Sequence, residues 1–163
     1  MIKIRKAALD DFDFFYKLKC EETNVYWTGH GSKPDRENLF FFFKNAVDNA
    51  EKKETRKIYI VESGGEKVGH IYIIPREEHF ELATAISQKY QGYGYAKKAI
   101  ALGLNEGRRM GYRKMKDAIR EDNIASLKAY QACGVNVTEE YRMVYIPKLD
   151  KEVKMYIVEK KLD

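Results

Sequence analysis

The sequence is sparing with residues that staple chains, hold metals or cross membranes. Its two cysteines, Cys20 and Cys133, provide no disulfide framework and no Cys-x-x-Cys pair. Its three histidines, His30, His70 and His79, show no zinc-ligand spacing, so no metal is expected. Purely apolar runs are only several residues long, which excludes a membrane-spanning segment. The opening residues include Lys3, Arg5, Lys6, Asp10 and Asp11, so they do not read as a signal peptide. The expectation from these absences is a reduced, cytoplasmic protein with no membrane contact.

What is present suits one domain spanning residues 1–163, long enough for a proper core. The hydrophobic share of 44% and the charged share of 34% are ordinary for a soluble globular chain. A net charge of +5 raises a nucleic-acid reading, but Lys and Arg are spread among many acids with no basic block. A solvated basic surface that tolerates an anionic ligand is the better account, and no nucleic-acid partner is expected.

Along the chain, Ile2 to Ala7 alternates apolar and charged, as a half-buried strand does. Asp10 or Asp11 caps a helix through about Glu22. Tyr26 to Pro34 reads as a loop, and Pro34 and Asp35 start a second helix to about Ala50. That helix carries Phe40 to Phe43, four rings that cannot share one face, so some must reach a second apolar surface. Lys57–Val61 and Val68–Ile74 are strands around a Ser63-Gly64-Gly65-Glu66 turn. A strand follows over His79–Ile86, then a helix to Gly111, then a strand over Lys114–Ile119 that runs parallel to the previous one because a helix joins them. A helix opens at Asn123. Val137–Ile146 and Glu152–Lys160 close the chain as an antiparallel pair, whose edge is a candidate surface for a homodimer.

The stretch Tyr90-Gln91-Gly92-Tyr93-Gly94-Tyr95-Ala96 joins a strand to a helix N-terminus. Outward backbone N–H groups and the positive end of a helix dipole favour a phosphorylated ligand there. Gly92 and Gly94 allow close backbone approach. The stretch lacks the Gly-Lys-Ser/Thr ending of a Walker loop and comes too late for a dinucleotide fingerprint. A second stretch, Asp122 to Tyr130 followed by Cys133-Gly134, lies one helix and one strand downstream.

Together the two stretches resemble the cofactor half of the GCN5-related N-acetyltransferase (GNAT) superfamily. Gln91, Gly94 and Ala96 fill its first signature; Asn123, Ser126, Tyr130 and Gly134 fill its second. The resemblance covers residues 81–135, with Val135 standing where an aromatic is usual. It implies an α/β fold with a twisted mixed sheet of about six to seven strands and helices on both faces. It implies acetyl-CoA as co-substrate, with Thr84, Ala85 and Ile86 meeting the pantetheine arm. The N–H groups of Gln91, Gly92, Tyr93, Gly94, Tyr95 and Ala96 would meet the pyrophosphate, with Asn123 and Tyr130 beside them. Lys97, Lys98 and Lys128 are lysines that could attract the 3′-phosphate. Tyr130 matches the family's general acid. Glu81 matches a frequent base position; Ala118 occupies another, which leaves that arrangement absent, and Glu121 lies nearby in a turn. Trp27, His30 and the phenylalanine run fall in the variable region that shapes the acceptor pocket.

The implied activity is direct transfer of an acetyl group to a primary amine of a small molecule or a protein N-terminus, since neither cysteine sits in a nucleophile context. A non-catalytic acyl-CoA-binding domain is the first rival, and intact Asn123 and Tyr130 argue against it. A basic RNA- or ribosome-binding domain is the second, with a steep salt dependence as its mark.

Overall fold

The computed structural model describes residues 1–28 and 31–163. Seven strands, β1 (Ile2–Lys6), β2 (Lys57–Ser63), β3 (Glu66–Pro75), β4 (Phe80–Ile86), β5 (Lys114–Arg120), β6 (Asn136–Ile146) and β7 (Lys151–Lys161), form one sheet. Their order is β1-β2-β3-β4-β5-β7-β6, with every pairing antiparallel except β4 with β5. The helices are α1 (Phe12–Cys20), α2 (Glu22–Thr28), α3 (Arg36–Asp48), α4 (Tyr95–Arg109) and α5 (Ile124–Ala132). No helix among the described residues is long and apolar enough to cross a membrane.

The sheet separates two apolar clusters. On one face Ile71, Ile73, Phe80, Leu82 and Met115 pack against Ala99, Ile100 and Leu104 of α4 and Leu127 and Tyr130 of α5. On the other, Phe12 and Phe15 of α1 and Phe43 and Ala46 of α3 cover Ile58 and Tyr72. The approach of α4 depends on Gly103 and Gly107. A Cβ at Gly107 would overlap the Phe80 ring, and one at Gly103 would press on Leu82 and Ile71. Close packing therefore offsets two glycines that each cost about 1 kcal/mol of helix propensity.

The four phenylalanines divide as helical geometry requires. Phe43 is buried, Phe40 meets Phe12 edge-on at 5.1 Å, Phe42 lies against Tyr72 at 6.0 Å, and Phe41 is exposed. Two local expectations change. Asp11 does not cap α1 with its side chain; its buried carboxylate instead takes Arg5, Lys67 and the Ala8 N–H. The first helix also breaks at Glu21, and Tyr26–Thr28, read as loop, belong to α2. The break has a cause. The Glu21 carboxylate accepts from Ser87 Oγ and the Gln88 N–H, each at 2.7 Å, tying the α1–α2 junction to the end of β4. That tie seats α2 over the strand that carries the site.

Candidate active site

The parallel strands β4 and β5 pair at Phe80 and Met115 and then part. Along β4, alternate residues turn their backbone groups toward β3 and toward the gap. The Leu82 N–H reaches Asp117, the Leu82 carbonyl takes the Tyr130 hydroxyl, and the Ile86 carbonyl takes Gln91 Nε2 at 3.1 Å. Thr84 lies between them in the same set. Its backbone N–H and carbonyl are thus directed into the gap, and its buried Oγ1 lies beside the Tyr130 hydroxyl. An extended ligand with amides of its own can add there as a strand would.

Beyond Ile86 the chain turns through Gly92 and Gly94, at φ 89° and 78°, into α4. Side-chain-bearing residues avoid that region, and a Cβ at either glycine would project into open space. Among the described residues, the N–H groups of Gly92 through Ala96 donate to no backbone carbonyl outside the helix, so the turn presents a row of donors at the positive helix end. A cleft of about 380 Å³ runs from Thr84–Ile86 to this cradle, walled by α5 through Asn123, Ser126, Ala129 and Tyr130. Gln91, Gly92, Gly94, Tyr95 and Ala96 also line it, whereas Tyr93 is exposed and forms no part of the wall. Lys97 lines it; Lys98 and Lys128 do not. Asn123 caps α5, accepting from the Ser126 N–H at 3.2 Å, which orients the helix that delivers Tyr130.

A second cavity, of about 270 Å³, opens on the other side of the gap. Thr84, Ala85, Asn123, Tyr130 and Trp27 border both, so the two spaces meet at the parted strands. Trp27 of α2 stands between them, edge-on to Tyr26 at 4.7 Å. His30 lies outside the described residues.

Burial shapes the chemistry of this second space. The Tyr130 phenol is held well above its ordinary pKa, mainly by burial and then by the nearby Asp117 carboxylate, so it stays protonated. Asp117 lines the cavity, and burial pushes its carboxyl up to about 7, against hydrogen bonds from the Ala118 and Leu82 N–H groups. His70 is fully enclosed, both ring nitrogens lack partners among the described residues, and burial drops its pKa well below the usual imidazole value. Lys19 also lines the space, with burial pushing its ammonium down to about 8. Arg120 sits under the Tyr26 and Trp27 rings and pairs through two arms with Asp122.

Glu81 takes a different place. Its carboxylate is held by both arms of Arg76, at 3.0 and 3.2 Å, and it lines neither cavity. Asp117, His70, Lys19 and Arg120 are absent from the sequence expectation. The available signal was an aspartate within the strand Lys114–Arg120, a residue type that strands disfavour.

The family profile described as an acetyltransferase (GNAT) domain matches residues 2–136. The chain belongs to the GNAT acetyltransferases. No curated protein matches its sequence. Several solved structures share its fold. A spermidine N-acetyltransferase from Vibrio cholerae, in complex with CoA and spermine, superposes with a TM-score of 0.85 at 16% identity, covering 98% of this chain and 95% of that one. A Salmonella typhimurium acetyltransferase that modifies the N-terminal serine of ribosomal protein L7/L12 gives 0.83 at 14% identity, over 99% and 95%. A putative acetyltransferase from the same organism, with acetyl-CoA, gives 0.81 at 18%, over 100% and 95%.

The GNAT acetyltransferase draws its acetyl group from acetyl-CoA, and the cleft suits that molecule. The open glycine turn and its N–H groups match an anionic pyrophosphate, and the Thr84 backbone edge, beyond the β4–β5 pairing at Phe80 and Met115, matches an amide-bearing arm. Among the described residues no group of three or more His, Cys, Asp or Glu side chains is arranged to hold a metal ion.

Proposed function

We propose that this GNAT acetyltransferase is an N-acetyltransferase, transferring the acetyl group directly to a primary amine of a small molecule or a protein N-terminus. The observation that carries the reading is the meeting of the two cavities at Thr84 and Tyr130. One space suits a nucleotide thioester; the other presents groups that can handle an amine. Bound acetyl-CoA supplies an acyl carbon already activated as a thioester.

The protein's own groups account for the protons. Asp117 takes one from the incoming ammonium, a task suited to a carboxyl poised near neutrality. The Thr84 N–H, with no strand partner, donates to the carbonyl oxygen as charge develops there. As the new C–N bond forms and the C–S bond breaks, Tyr130 gives its hydroxyl proton to sulfur, and the proton shed by the amide nitrogen returns, through water, to the Tyr130 oxygen. The Leu82 carbonyl holds that hydroxyl at the open strand edge. Glu81, in its pairing with Arg76, is the weaker base assignment.

CoA release from acetyl-CoA, assayed with a panel of primary amines, tests this. Turnover that needs the amine and collapses in Tyr130→Phe is expected. Ping-pong kinetics or an isolable acetyl-enzyme would overturn direct transfer. Absence of calorimetric heat for CoA would overturn the assignment of the cleft.

A further inference from the structure

The acceptor cavity carries cationic groups that the transfer chemistry does not use. Lys19 extends from α1 so that its Nζ lies over two rings, 4.6 Å from the Tyr72 centroid and 5.6 Å from that of Phe15. Among the described residues no acid pairs with it, and the only charge acting appreciably on it is another cation, Arg56. Arg56 lies over the same Tyr72 ring, at 4.9 Å. Across the cavity, Arg120 spends two arms on Asp122 while Nη1 is buried without a partner. A half-buried ammonium with no acid and a buried guanidinium arm with no acceptor are both costly, and an anion between them would satisfy both.

The acid side of the cavity is thin. Asp117 is the only carboxylate among its lining residues, and Asp122 contributes through Arg120. A polycation entering here would meet Lys19 and Arg120 in the wall, with Arg56 behind Tyr72, and one lining carboxylate for compensation. The volume of about 270 Å³ suits a compact molecule, with His70, Tyr72 and Trp27 among the lining residues.

We infer that the acceptor is a small amine that also bears a carboxylate, an amino-acid-like zwitterion, with Lys19 binding the carboxylate while the amine faces Asp117. The inference rests on the reading of this cavity as the acceptor site. It assigns Lys19 to substrate discrimination, not to proton transfer. Charge selection of this kind follows from matching one fixed cation to one ligand anion and from rejecting ligands that lack it.

The test uses matched probes that differ only in the carboxylate: L-phenylalanine with phenethylamine, and 4-aminobutyrate with propylamine. Spermidine serves as the polycation. With acetyl-CoA saturating, kcat/KM is expected to favour the carboxylated member of the phenylalanine pair by roughly tenfold or more, the worth of a charge-assisted contact. Lys19→Met, which keeps an unbranched side chain of similar length, brings that ratio toward unity through KM, and Lys19→Arg restores most of it. Circular dichroism and the calorimetric Kd for CoA establish that each variant is folded and loaded. Preference for spermidine or phenethylamine overturns the inference, as does a ratio unmoved by Lys19→Met. Failure of every carboxylated probe to bind the CoA-loaded protein by calorimetry also overturns it. Acetylation of Lys19 itself, read by mass spectrometry, would do the same by making it the acceptor. Loss of CoA binding in the unaltered protein would instead strike the cleft assignment, a separate failure.

Discussion

The hydroxyl of Tyr130 donates to the carbonyl of Leu82 at 2.5 Å, bonding a helix side chain to a strand edge that has lost its neighbour. In an intact sheet that carbonyl would be taken by β5. The parting of the strands frees it to aim a phenol into the gap. The same parting leaves Thr84 open to a ligand.

Tyr130→Phe removes the hydroxyl and leaves a buried carbonyl without its donor. A stability loss of about 1 kcal/mol is expected from the hydrogen bond. Activity should fall far more, by roughly a hundredfold in kcat, if the proposed general acid is lost with the hydroxyl. Urea denaturation and steady-state kinetics separate the two, with the CoA Kd within a few fold of the unaltered protein.

Asp117 gives a pH signature. With its carboxyl pushed up to about 7, kcat/KM should rise with pH through neutrality, and Asp117→Asn should be slower by roughly a hundredfold with that limb flattened. The stability sign is opposite. The folded state holds this proton more tightly than the unfolded chain, so Asp117 destabilises the fold progressively as pH climbs from about 4 toward 7. Asp117→Asn should therefore gain thermal stability relative to the parent at pH 8 and show little gain at pH 4, read by thermal melts.

Gly94 and Gly107 separate ligand binding from folding. At Gly94 a Cβ meets no protein atom, though φ is 78°. Gly94→Ala should cost about 1 kcal/mol of stability and weaken CoA binding by roughly tenfold, as the methyl group enters the phosphate cradle. Gly107→Ala should lower stability by several kcal/mol, on the order of an overpacked core, since the new methyl meets the Phe80 ring. Calorimetric titration with CoA and chemical denaturation provide the comparison.

Asp11 is the structural counterpart of Asp117. Burial alone would raise its carboxyl, but hydrogen bonds from Arg5, the Ala8 N–H and Lys67 together hold it well below the usual carboxylate range. Its stabilising contribution is complete above the unfolded value near 4 and is lost as pH falls below that. Asp11→Asn should destabilise the fold by roughly 3 kcal/mol at pH 7, and by much less at pH 2, in denaturant melts at the two pH values.

Much of the cofactor side was legible in the chain because its determinants are local. Gly92 and Gly94 must permit positive φ, Asn123 must cap a helix, and Tyr130 follows it by a fixed number of helical turns. Each requirement appears in residue type and spacing. The strand pairs around Gly64 and Gly65 were legible for the same reason, with φ of 59° and 81° at the turn. Glu81 illustrates the limit: its position on β4 was readable, but its capture by Arg76 across a turn was not. Lys19 and His70 likewise come from α1 and β3, and nothing in either segment announces that they share a cavity with Asp117.

The amino-acid order by itself determined the alternation of strands and helices, the glycine turn and the phenol-bearing helix, since each follows from backbone preferences over a few residues. Tertiary structure alone decided where β4 and β5 part, which side chains enclose the second cavity, and how burial retunes Asp117 and Lys19. Desolvation and charge proximity depend on atoms distant in sequence, so the chemistry of the second cavity exists only once the sheet has closed against its helices.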